Sequence, residues 1–162
     1  MAEDFKVAQG SKADMYADFF EQAKSIVSTE SDVVANMGNV AAMLHFTFGF
    51  WWTGFYRVVD NELVLGPFQG PLACTRIAKG RGVCGTAWNE SKTIVVPDVD
   101  KFPGHIACSS ESKSEIVVPI IVDGVVRAVL DIDSAQLATF DEVDKIWLER
   151  LVASIAERLV EK

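Results

Sequence analysis

The chain has 162 residues, 49% of them apolar, 23% charged and 10% aromatic, which is enough to bury one ordinary core without disulfides or a structural metal. Fifteen basic against twenty-three acidic residues give a net charge of −8. That balance argues against nucleic acid or an anionic membrane as partner, since both require clustered Lys and Arg. No apolar run approaches the roughly 20 residues of a membrane span, and Met-Ala-Glu-Asp-Phe-Lys is no signal peptide, so the expected compartment is the cytoplasm. The expected organisation is one domain over 1–162, with 1–13 as a flexible N-terminal extension.

Asp14 to Ser28 reads as an amphipathic helix, with Met15, Phe19, Phe20, Ala23, Ile26 and Val27 at helical spacing. Asp32 to Leu44 reads as a second. From Phe46 the pattern turns aromatic and β-branched. Phe50 to Val59, the turn Asp60-Asn61 and Glu62 to Leu65 give a hairpin signal. Leu72 to Ala78 reads as a short strand carrying Cys74. Gly80-Arg81-Gly82-Val83-Cys84-Gly85 leads into a short helix through Trp88, and Thr93 to Val96 reads as a strand. Pro97 to Ser114 is then an irregular segment of 18 residues holding His105 and Cys108. Irregular stretches longer than about 12–15 residues are uncommon in compact domains and often functional. Two strands, Glu115 to Val122 and Val125 to Asp133, follow. Thr139 with Glu142 three residues later fits a capping box opening a last helix to about Val160. Short connections and hairpins predict an α+β domain with a central antiparallel sheet of about six strands and the terminal helices on one face.

The final hairpin has a register problem. Val126, Ala128, Leu130 and Ile132 form one apolar face, and Ile116, Val118, Ile120 and Val122 another. A two-residue loop would set Ile116 against Asp131. A three-residue loop, Val122-Asp123-Gly124, makes the apolar sets coincide and puts Glu115 opposite Asp131. Glu115, Asp131 and Asp133 then share the other face. Solvated acids on a surface strand would do nothing. Crowded ones repel, which keeps at least one protonated near neutrality and makes the group a candidate proton donor.

The three cysteines, Cys74, Cys84 and Cys108, admit three readings. They can be buried structural thiols. They can join His105 around zinc, although no short Cys-x₂-Cys spacing marks such a site. They can be redox groups, one attacking and becoming a sulfenic acid that another resolves. Cys84 opens a helix, where the dipole favours a thiolate. Phe46, Phe48, Phe50, Trp51, Trp52, Phe55 and Tyr56 crowd into eleven residues. Most should be core, but the excess fits an aromatic wall for a small apolar group.

Several stretches carry a resemblance covering about Met15 to the end. They are Trp52-Thr53-Gly54-Phe55-Tyr56, Leu65 to Gly70 (LGPFQG), Gly82 to Ala87 (GVCGTA), Gly104-His105-Ile106-Ala107-Cys108, Ser114 to Pro119 (SEIVVP) and Leu130-Asp131-Ile132-Asp133-Ser134. The chain resembles the free methionine-(R)-sulfoxide reductases, stand-alone GAF-domain enzymes. The resemblance implies that Cys108 attacks the sulfoxide sulfur, with Cys74 favoured over Cys84 to resolve the sulfenic acid. It matches Glu115, Asp131 and Asp133 to carboxylates that hold and polarise the substrate, and Trp52 and Tyr56 to the aromatic pocket. On this reading Asp133 or Glu115 contacts the sulfoxide oxygen and Asp131 the ammonium. Free methionine-(R)-sulfoxide is the expected substrate, thioredoxin the reductant, and no cofactor or metal is implied. A homodimer is expected, since helical termini of GAF domains often pair. The rival is a ligand sensor. It is disfavoured because Cys108 is followed by Ser109 rather than the His that bilin attachment wants, and because an acidic pocket repels a cyclic nucleotide.

Overall fold

A computed structural model describes residues 4–106, 108 and 110–161. Residues 1–3, Ala107, Ser109 and Lys162, and with them parts of the expected extension and of the His105–Cys108 motif, lie outside the described residues. Helices α1 (Lys12–Ser28) and α2 (Val33–Phe48) come first, capped by the side chains of Ser11 and Asp32. Helix α2 continues four residues past the sequence-based limit and stops at Gly49, whose φ of 67° gives the left-handed cap that glycine tolerates. Strands β1 (Trp52–Val59) and β2 (Glu62–Gln69) form the expected hairpin, followed by β3 (Arg76–Ala78), α3 (Gly82–Glu90), β4 (Ile94–Val96), β5 (Ser114–Val122), β6 (Val125–Ser134) and α4 (Glu142–Leu159). All pairings are antiparallel, in the order β3-β2-β1-β6-β5-β4.

The sheet divides two apolar layers. On one side α1, α2 and α4 cover Phe55 of β1, Ile116, Val118 and Ile120 of β5, and Ala128, Leu130 and Ile132 of β6. The terminal helices therefore share a face. Each fully buried Leu, Ile or Phe contributes about 1.5–3 kcal/mol. On the other side α3 and the segments around it pack Val83, Cys84, Ala87 and Trp88 against Trp52, Tyr56, Val117 and Val129. Residues 4–11, expected as flexible, run against α1: Phe5 meets Phe19 edge-on, and Lys6 exchanges hydrogen bonds with Gln22.

Three local expectations are corrected. The β5–β6 loop has two residues, not three: Asp123 (φ 52°) and Gly124 (φ 75°) form it, and Val122 pairs with Val125. A bulge at Arg127 then shifts the register by one, so Ile116 faces Ile132 and Glu115 faces Asp133 rather than Asp131. The buried faces still coincide, but Val126 moves to the α3 side of the sheet. Cys74 precedes β3 rather than lying in it, because the carbonyls of Pro71 and Cys74 turn to accept from Trp52 Nε1 and Tyr56 O–H. The capping box of α4 is Asp141 with Asp144, because Thr139 spends its hydroxyl on Ser134 and Gln136.

Candidate active site

On the α3 side the sheet presents Trp52, Gly54 and Tyr56 from β1, Asp131 and Asp133 from β6, and Glu115 from β5. Gly54 has a steric reason. A Cβ there would lie 2.7 Å from Trp52 Cη2 and strike the Phe68 side chain. Its absence lets the Trp52 ring lie across the strand, stacked on Phe68 at 5.2 Å and facing Tyr56 at 6.0 Å. Pro67, which cannot donate to a ladder, sits where the β1–β2 register shifts.

Trp51, Trp52, Tyr56, Arg81, Cys84, His105, Cys108, Ser112, Glu115, Asp131 and Asp133 line one cleft. The structure thus brings together every residue that the sequence singled out for the site, with Cys74 tied to it through a Cys74–Cys108 disulfide, Cα to Cα 5.7 Å. Cys108 is exposed and Cys74 half-buried at the rim, whereas Cys84 is 4% exposed on the floor. Two members of the alternative zinc set are consumed by the disulfide. Among the described residues, the group with mutual spacing for a metal is Cys84, Glu115 and Asp131.

The floor has unusual electrostatics. Glu115 and Asp131 are each 6% exposed. Desolvation, then repulsion from Asp131 and Asp133, pushes the Glu115 carboxyl well above its ordinary range. Desolvation and the Asp131 charge do the same to Asp133, against the opposing hydrogen bond from Ser112, whose Oγ lies 2.5 Å from Asp133 Oδ1. Asp131 is also raised by burial, but it accepts from Glu115 and from Cys84, which oppose the rise. All three carboxyls are thus held above their ordinary range, Asp131 less far than Glu115 and Asp133 because hydrogen bonds to it oppose the rise. The Cys84 thiol, 4.0 Å from Glu115 Oε1, is pushed well up by burial and by the neighbouring carboxylates. This corrects the thiolate expected from its place at the start of α3. The first-turn dipole is worth about 1 kcal/mol or less, too little against full burial among acids.

Two buried polar atoms of the cleft residues have no hydrogen-bond partner among the described residues, Asp131 Oδ1 and Trp51 Nε1. An orphaned buried donor or acceptor costs about 1–3 kcal/mol, which a ligand can relieve. Sequence reasoning placed Trp51 only in the aromatic cluster and passed over Ser112 and Arg81. A Trp before a strand and a Ser within a loop carry no pattern of their own.

A family profile described as GAF domain matches residues 28–159. A GAF domain-containing protein A from Dictyostelium discoideum is 54% identical over 94% of this chain and 97% of its own. A free methionine-R-sulfoxide reductase from Escherichia coli is 42% identical over 91% of this chain and 90% of its own. A substrate complex of the free methionine-R-sulfoxide reductase from Neisseria meningitidis superposes with a TM-score of 0.94 at 51% identity, covering 96% of this chain and 95% of that one. The chain belongs to the free methionine-R-sulfoxide reductase family. Its domain is of the GAF type, with the sheet order and helix layers described above. Among the described residues no helix is long and apolar enough to cross a membrane. Within this reductase family's fold, the exposed Cys108 and the three buried acids line one cleft.

Proposed function

We propose that the protein reduces free methionine-(R)-sulfoxide to methionine at this cleft, with Cys108 as nucleophile and Cys74 as resolving cysteine. The observation that carries this reading is a disulfide between an exposed and a half-buried cysteine at the rim of a cleft floored by three crowded carboxyl groups, all held above their ordinary range by burial.

In the reduced protein, the Cys108 thiolate attacks the sulfoxide sulfur. Negative charge grows on the sulfoxide oxygen, and a preorganised acid there lowers the barrier by several kcal/mol. Asp133 is suited to that task. Ser112 fixes one of its oxygens, and its proton is not shared with Asp131, whereas Glu115 donates to Asp131. The oxygen passes to Cys108 as a sulfenic acid and methionine leaves. Cys74 then attacks Cys108 Sγ, water departs, and the disulfide seen here forms. Two electrons from a thioredoxin dithiol restore both thiols. Cys84 stays a thiol throughout and donates to Glu115 Oε1 on the cleft floor.

The unpartnered atoms fit a free amino acid. Asp131 offers Oδ1 to the ammonium, which a peptide bond would abolish. Trp51 Nε1–H is left for the α-carboxylate, and Trp52 and Tyr56 flank the methyl end. Regeneration by a thiol reductant suits the cytoplasm. The expected homodimer would cover exposed Val34, Phe46 and Ile146 of α2 and α4, and sedimentation at micromolar concentration tests it.

Thioredoxin-coupled NADPH oxidation with separated R and S isomers tests the activity. Turnover of the free R isomer alone, absent in Cys108→Ala, is expected. Equal turnover of both isomers, or none from folded reduced protein, would refute the proposal.

A further inference from the structure

Leu72 is 89% exposed, the most exposed large apolar side chain among the described residues. It is not on a loose loop. Trp52 Nε1 donates to the Pro71 carbonyl at 3.1 Å, Tyr56 O–H donates to the Cys74 carbonyl at 2.8 Å, and Leu65 N–H donates to the Thr75 carbonyl at 3.0 Å. The strap is thus pinned on both sides of Leu72, which holds the side chain out into solvent. Half-buried Ala73 follows it, Ile106 lines the same cleft, and the next residue but one is Cys74 of the disulfide. A rigid apolar knob beside an exposed disulfide is a costly surface unless something covers it, and well-anchored apolar side chains are the usual centres of protein interfaces.

Resting on the function proposed above, we propose that Leu72, with Ala73 and Ile106, is the docking surface for the protein dithiol that reopens the disulfide, and that this dithiol attacks Cys108. The occupant is a protein carrying a reactive thiolate within a flat apolar patch. Thiol–disulfide exchange needs the thiolate to approach one sulfur from outside, and Cys108 is the exposed sulfur while Cys74 is half-buried. The partner thiolate bonds to Cys108 Sγ, the Cys74–Cys108 bond breaks, and its electron pair goes to Cys74 Sγ, which takes a proton. The partner's second thiol then attacks the mixed disulfide, freeing Cys108 and leaving the partner oxidised.

The experiment compares wild type with Leu72→Asp and Leu72→Ala, using thioredoxin as varied substrate and dithiothreitol as a reductant that needs no docking. The KM for thioredoxin should rise about tenfold in Leu72→Asp and by less in Leu72→Ala. Dithiothreitol-driven turnover at saturating methionine sulfoxide should stay within twofold. An unchanged KM for thioredoxin would overturn the docking surface. So would an equal loss with dithiothreitol, or conversion of a wild-type dimer to monomer by Leu72→Asp. Wild type inert with both reductants would instead refute the reductase reading itself. In a second arm, thioredoxin lacking its second cysteine is trapped on the oxidised protein and mapped by peptide mass spectrometry. The mixed disulfide should lie on Cys108, and finding it on Cys74 would overturn the assignment of the attacked sulfur.

Discussion

Replacing Glu115 by Gln should make the protein more stable relative to wild type as pH rises. Glu115 is an acid whose folded pKa lies well above the unfolded value, because burial and two neighbouring carboxyl groups oppose its ionisation. The folded state therefore keeps a proton that the unfolded chain releases above about pH 4.3. Stability linked to this group is fully present below that pH and declines as pH rises toward the folded pKa. While the carboxyl stays protonated in the fold, the loss is about 1.4 kcal/mol per pH unit. Between pH 5 and 7 the two proteins should diverge by up to about 2.7 kcal/mol. For a domain of this size that is a relative melting shift of about 5–10 °C. Gln cannot titrate but keeps a donor toward Asp131, so the difference between the proteins reports the proton linkage of Glu115 together with the response of Asp131 and Asp133 beside it. Thermal melts of both oxidised proteins from pH 5 to 8 measure it. A difference independent of pH would mean that Glu115 ionises normally in the fold, and the acid floor on which the mechanism rests would be wrong.

Trp51→Phe should keep the ring and remove the unpartnered N–H, raising the KM for methionine sulfoxide about fivefold with little change in kcat. The carboxylate-free analogue 3-(methylsulfinyl)propylamine should be insensitive to the substitution, and steady-state kinetics with both substrates checks this. Asp144→Ala should destabilise the fold by about 3 kcal/mol, measured by urea unfolding. It removes the buried acceptor of Tyr16 O–H (2.7 Å) and Lys12 Nζ (2.8 Å), which tie α1 to the start of α4, and one half of the α4 capping box.

The element order and the antiparallel sheet were legible because strand alternation and helical spacing are local signals. The acid cluster was legible for a stronger reason. Only one facing of β5 on β6 buries Ile116, Val118 and Ile120 with Leu130 and Ile132, whichever device achieves it. The device itself was not. A two-residue turn plus a bulge at Arg127 and a three-residue loop satisfy the same pattern, and nothing in Val-Val-Arg-Ala marks the bulge. Likewise Leu72-Ala-Cys-Thr-Arg has strand-like composition, but the carbonyls of Cys74 and of the preceding Pro71 are claimed by Tyr56 and Trp52, residues some twenty positions away in sequence. The state of Cys84 was misread because a helix start is visible in sequence, while the three acids that bury it come from other strands.

The central claim is that Cys108 takes the oxygen and Cys74 releases it. The direct measurement is a single turnover: fully reduced protein is mixed with excess R isomer and no reductant, then quenched and alkylated. One equivalent of methionine should appear, with Cys74 and Cys108 joined and Cys84 alkylated as a free thiol. In Cys74→Ser, one equivalent should still form, and a dione trap should label Cys108 as sulfenic acid. A disulfide that includes Cys84, or methionine formation that survives Cys108→Ala, would contradict the account.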